Sequence, residues 1–77
     1  MKNMKIEILQ EVTNWETNTP NHTYAIDKES GKMVAYQPLD GEIKVFNKPL
    51  QFSKSFRKFK KIINQEMLNL LGEKYEL

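Results

Sequence analysis

Cysteine is absent from this chain, which excludes disulfides and thiolate metal sites, the usual staples of very small domains. Arginine is nearly absent: Arg57 stands alone against eleven lysines. Bidentate reading of bases or carboxylates therefore has one candidate, and anion contacts must be made mostly by lysine point charges. Three glycines leave no glycine-rich phosphate loop, and the single histidine, His22, has no second histidine or cysteine with which to hold zinc. No stretch approaches the roughly 20 apolar residues of a membrane span. The start, MKNMKIEIL, has no apolar run of signal-peptide length before Glu7 interrupts it. These absences predict a cytoplasmic protein with no membrane partner, no metal and no cofactor. His22, in TPNHT, has only Thr23 as a neighbouring nucleophile, and is expected to be a loop residue bonded to backbone. The acidic pairs Asp27/Glu29 and Asp40/Glu42 fall at turns rather than in a cleft, so no enzyme is expected.

What is present is patterned. The 77 residues suffice for one small domain. Residues 4–13, MKIEILQEVT, alternate, with Met4, Ile6, Ile8 and Val12 on one side and Lys5, Glu7 and Glu11 on the other. A period of two predicts a strand with one buried face. NWETNTPNH reads as a loop, with Trp15 folding back onto the core. Three further strands are predicted over about 23–28, 32–37 and 42–47, separated by turns at Ser30-Gly31 and Asp40-Gly41, where glycine can take positive φ. Lys48-Pro49 should end the sheet, since proline cannot donate to a ladder. The apolar period then becomes helical through Phe56, Phe59, Ile63, Met67, Leu70 and Leu71, with Ser53 or Ser55 as cap and Gly72 as stop. A helix over about 54–71 and a frayed tail over 73–77 follow. The predicted class is α+β: an antiparallel three- or four-stranded meander packed by one C-terminal amphipathic helix.

Charge is segregated. Net charge is only +2, yet residues 48–62 hold six basic residues and no acid. On a helix at about 100° per residue, Lys54, Arg57, Lys58 and Lys61 share the side opposite the apolar stripe. Two physical features set this ridge apart from an ordinary solvated face. Cations at a helix start oppose the macrodipole, at about 0.3–1 kcal/mol each. No Asp or Glu lies within four residues of any of the four. The expected function is phosphate-backbone binding, RNA or single strand rather than duplex, by Lys48, Lys54, Arg57, Lys58 and Lys61. Trp15, Tyr36 and Phe52, with Phe46, are the candidate stacking residues. The alternatives are a protein-only module acting on an acidic surface, with Ile62 and Leu68 as apolar contacts on the outer side of the helix, and a structural homodimer.

The lysine- and asparagine-rich, cysteine-free composition and the short length make the chain similar to small accessory proteins of T4-like bacteriophages. No motif carries that resemblance. It implies a non-enzymatic regulator in the host cytoplasm that inhibits a host defence factor or toxin, with nucleic acid or a host protein as partner. A small sheet followed by a helix is also similar in architecture to the DNA-binding domains of some phage-type integrases. The acids beside Lys28, Lys32 and Lys44 speak against reading DNA with the sheet here.

Overall fold

The computed structural model describes residues 5–14, 16–17, 19–53 and 57–75. Of the residues singled out above, Trp15, Lys54, Ser55 and Phe56 lie outside them, as do 1–4 and 76–77. The fold is α+β, one antiparallel sheet and one C-terminal helix, with five strands instead of three or four. They are β1 (Ile6–Asn14), β2 (Thr19–Asp27), β3 (Met33–Gln37), β4 (Lys44–Leu50) and β5 (Lys58–Lys61), followed by α1 (Gln65–Tyr75). The first four form a meander. The fifth returns to the free edge of the first, giving the order β4-β3-β2-β1-β5.

The alternation of β1 survives in the structure. Ile8 pairs with Ala25, and Ala25 with Ala35, so these share one face. Met67 and Leu71 of α1 close over that face, and Ile8, Ala25, Val34, Ala35, Met67 and Leu71 form the buried core, with Ile6, Ile43, Val45, Ile62, Leu68 and Tyr75 around it. The paired alanines, both wholly buried, leave room for a helix to lie close to the sheet. On the other face, Leu9, Tyr24 and Ile26 carry a second cluster with Met33, Tyr36, Phe52 and Phe59. From β4 to β5 the chain must cross four strand spacings, about 19 Å. On this second face Phe52, just past β4, rests on Tyr24 in the central strand, with ring centroids 5.1 Å apart, and Arg57, just before β5, lies over the same ring.

Both turns keep their sequence chemistry, with one correction. Gly31 has φ +74°, as expected. Asp27 organises its turn by accepting from the Glu29 N–H at 3.1 Å and the Ser30 hydroxyl at 3.0 Å. In the β3–β4 turn it is Asp40, with φ +59°, that occupies the left-handed region. Gly41 is required for a different reason: a Cβ there would run into the Pro38 ring.

The predicted helix over 54–71 is corrected to a short strand and a later helix. Residues 58–61 pair with β1, Phe59 opposite Glu11 and Lys61 opposite Leu9. The physical reason lies in the electrostatics that made a helix start there costly. Strand pairing removes the conflict between clustered cations and a positive helix end, and sends Phe59 into the aromatic cluster. The helix begins where its termini are satisfied. Asn64 caps it, its Oδ1 accepting the Met67 N–H at 3.1 Å. Glu66 lies in the first turn and Lys74 in the last, both matched to the dipole. The Asn64 amide also donates to Gln37 Oε1 at 3.2 Å, and Gln37 donates to the Gly41 carbonyl at 3.0 Å, so the cap is tied to the β3–β4 turn.

Other boundaries shift for local reasons. Gly72 sits inside the helix, and Glu73 to Tyr75, expected to fray, are helical. The Tyr75 hydroxyl donates to the Phe46 carbonyl and Lys74 to Asn47 Oδ1, pinning this end to β4. Pro49 does not end the sheet: β4 continues to Leu50, because an edge strand can turn a missing N–H outward. Strand β2 starts at Thr19 and passes through Pro20, which pairs with Val12 beside register shifts in β1. Among the described residues no helix is long and apolar enough to cross a membrane.

Candidate functional site

The cationic stretch forms an edge. Arg57, Lys58, Lys60 and Lys61 lie in and just before β5, the last strand of the sheet on its β1 side. Lysines on an edge strand are a common guard against edge-to-edge pairing, so their presence has a structural reason before any functional one. Lys48 stands on β4, at the opposite edge, about 19 Å away by strand spacing. The single ridge expected from helical periodicity is therefore divided. Strand alternation divides it again: Lys61 shares the Phe59 side, while Lys58 and Lys60 point to the other.

Two of the cations have acidic partners from β1. Lys61 Nζ lies 3.0 Å from Glu7 Oε2, and Arg57 Nη1 lies 3.6 Å from Glu11 Oε1. Arg57 is held further by donating to the Tyr24 hydroxyl at 3.4 Å and to the Ser53 carbonyl. Its guanidinium lies 5.2 Å from the Phe52 and Phe59 ring centroids and 5.6 Å from that of Tyr24. This arginine locks the crossover onto the sheet. Lys60 is exposed and has no ion pair among the described residues.

Two of the candidate stacking residues, Tyr36 and Phe52, are packed against Tyr24. Tyr24 meets Tyr36 at 5.4 Å and Phe59 at 5.8 Å, and Phe52 meets Phe59 at 5.6 Å. Phe46 is half-buried on β4. Ile62 and Leu68, expected as outward contacts, are half-buried against the helix-side core. Ile63, placed by periodicity on the buried stripe, is 85% exposed. It lines a shallow groove of about 270 Å³ with Ile6, Glu7, Ile8, Ile62, Lys28 and Lys61. Glu7, Glu11, Tyr24 and Ile63 complete this region and were not marked by the sequence. Alternation put Glu7 and Glu11 on one side of β1, but only the β1–β5 register shows which cations they meet.

His22 lies on β2 rather than in a loop. Its Nδ1 is 3.2 Å from the Tyr36 hydroxyl and accepts the Leu39 N–H at 3.4 Å, a backbone contact of the expected kind. Among the described residues no group of three His, Cys, Asp or Glu side chains could hold a metal ion.

The aromatic face has one titration consequence. Burial pushes the Tyr24 phenol above its ordinary pKa of 10.0; the hydrogen bond to Glu11 and its charge act in the same direction, and Arg57 opposes them. Burial also raises Tyr75. Above pH 10.0 the unfolded chain releases phenolic protons that the folded chain retains. Stability from these groups is therefore complete below that pH and is lost as pH rises through the folded values. Thermal melting should fall on the alkaline side, less steeply in Tyr24→Phe. Spectrophotometric titration of the folded protein should show Tyr24 and Tyr75 ionising above 10.0; ionisation of either at or below it would contradict this picture.

Comparison of the chain with known protein families, with curated proteins and with solved structures finds no match.

Proposed function

We propose that this chain is a small non-enzymatic regulatory domain that binds another protein, of acidic surface, through the edge formed by β5 and the Ile63 groove. The observation that carries this reading is the juxtaposition of Ile63, 85% exposed, with the cations of β5 at a sheet edge that no strand covers among the described residues. An isolated exposed isoleucine means little. An exposed isoleucine beside a groove with Ile6 and Ile62, lined also by Lys28 and by the Lys61–Glu7 pair and lying next to exposed Lys60, combines an apolar contact with charge selection. The compositional similarity to phage accessory proteins suggests a host defence or toxin component as the partner, and that role belongs to the proposal.

Nucleic-acid binding, RNA or single strand, is the second reading. It is favoured by the density of cations at 57–61 and by exposed Lys60. Its support is weaker than the sequence implied, because Glu7 and Glu11 answer Lys61 and Arg57 and Tyr36 and Phe52 are packed against Tyr24. A pull-down from nuclease-treated lysate, with the parent and with Lys58→Glu/Lys60→Glu, separates the two. A protein partner should persist through nuclease treatment, weaken at high salt and be lost in the folded double variant. Loss of all capture on nuclease treatment would transfer the assignment to nucleic acid.

A further inference from the structure

The β5 edge has the geometry of an acceptor for one more strand. Ile62 donates its N–H to the Ile8 carbonyl at 3.0 Å, and Gln10 stands opposite Lys60. In an antiparallel ladder hydrogen-bonded pairs alternate with non-bonded ones. The N–H and C=O groups of Lys58, Lys60 and Ile62 thus turn toward β1, and those of Phe59 and Lys61 turn to the open edge. Among the described residues no strand pairs with that side. The side chains there carry positive charge and, at the C-terminal end, lead to the Ile63 groove.

We infer that an extended acidic segment of a partner protein adds to β5 as a sixth strand, its main chain bonding Phe59 and Lys61 and one aliphatic side chain entering the groove beside Ile63. This rests on the proposal that the partner is a protein. Strand addition draws affinity from main-chain hydrogen bonds and specificity from alternate side-chain positions. Charge selects the occupant. A second copy of β5 would bring lysine against lysine across the new ladder, which is unfavourable. A strand with acids facing Lys58 and Lys60 meets complementary charge. Its alternate residues fall on the side of Phe59 and Lys61, and past the C-terminal end of β5 an aliphatic chain finds the groove beside Ile63.

The test uses the whole chain and a fluorescent, acetylated and amidated eight-residue peptide alternating glutamate and valine. Its counterparts carry N-methylated valines or lysine in place of glutamate, and a dodecauridylate RNA is titrated in parallel. Binding of the acidic peptide is expected, with loss for both altered peptides and weakening of about tenfold in Lys60→Glu and in Ile63→Asp. Both substitutions sit on exposed side chains and should leave the circular dichroism spectrum unchanged. Equal binding of the N-methylated peptide, or affinity indifferent to Ile63→Asp, would overturn strand addition while leaving an acidic protein partner in place. RNA binding without peptide binding would overturn strand addition and the acidic protein partner together, in favour of nucleic acid. Binding of neither ligand would overturn the inference alone, the pull-down then deciding the class of partner.

Discussion

Leu71→Ala should destabilise the domain by about 2–5 kcal/mol, enough to leave much of the population unfolded at room temperature. Leu71 is wholly buried, as are Met67, Val34, Ala25 and Ala35. The two alanines cannot fill a space that their small size was needed to create. A core of this size contributes a net of only about 3–5 kcal/mol, so one cavity can consume it. Urea titration should give a midpoint near zero denaturant. The exposed control Ile63→Ala should lie within about 0.5 kcal/mol of the parent. A Leu71→Ala protein as stable as the parent would mean that α1 does not seal the helix-side core.

Tyr24→Ala should cost about 3–5 kcal/mol, whereas Tyr24→Phe should cost only about 1 kcal/mol. The difference follows from what the residue does. Its ring touches Tyr36, Phe52 and Phe59 and forms the floor on which the β4–β5 crossover rests. Its hydroxyl donates to Glu11 at 3.0 Å, but Glu11 keeps Arg57 when that hydroxyl is removed. Alanine removes the floor, and Phe52, Phe59 and Arg57 lose their common contact. Denaturant midpoints for the two variants measure the separation. Similar losses in both would place the stabilisation in the hydroxyl network instead of in ring packing.

The sheet was legible because its signals are local. The alternation of MKIEILQEVT, the turn at Asp27 to Gly31 and the tight turn at Asp40-Gly41 each depend on neighbouring residues. The C-terminal third was less so. Phe56, Phe59, Ile63 and Met67 fit a helical period, and nothing local to them announces that Phe59 pairs across to Glu11, nearly fifty residues earlier. Cations at a helix start oppose the dipole and so point to a functional reason for bearing that cost. The structure shows the cost being avoided: the segment is a strand, and the helix waits for Asn64 and Glu66. The positive charge of the candidate site was visible in the sequence, but its partners Glu7 and Glu11 were not. The answering acids come from another strand, far beyond the four-residue reach of a helix pair.

Residues 58–61 form an edge strand paired with β1, and nuclear Overhauser contacts test this directly. The non-bonded pairs of an antiparallel ladder bring α-protons close, so a strong contact is expected between the α-protons of Phe59 and Glu11, with a second between Lys61 and Leu9. Amide exchange should be slow at Lys60 and fast at Phe59 and Lys61. Helical contacts between residues three apart through 57–61, with no cross-strand signal to β1, would contradict the fold of this edge and the binding surface built on it.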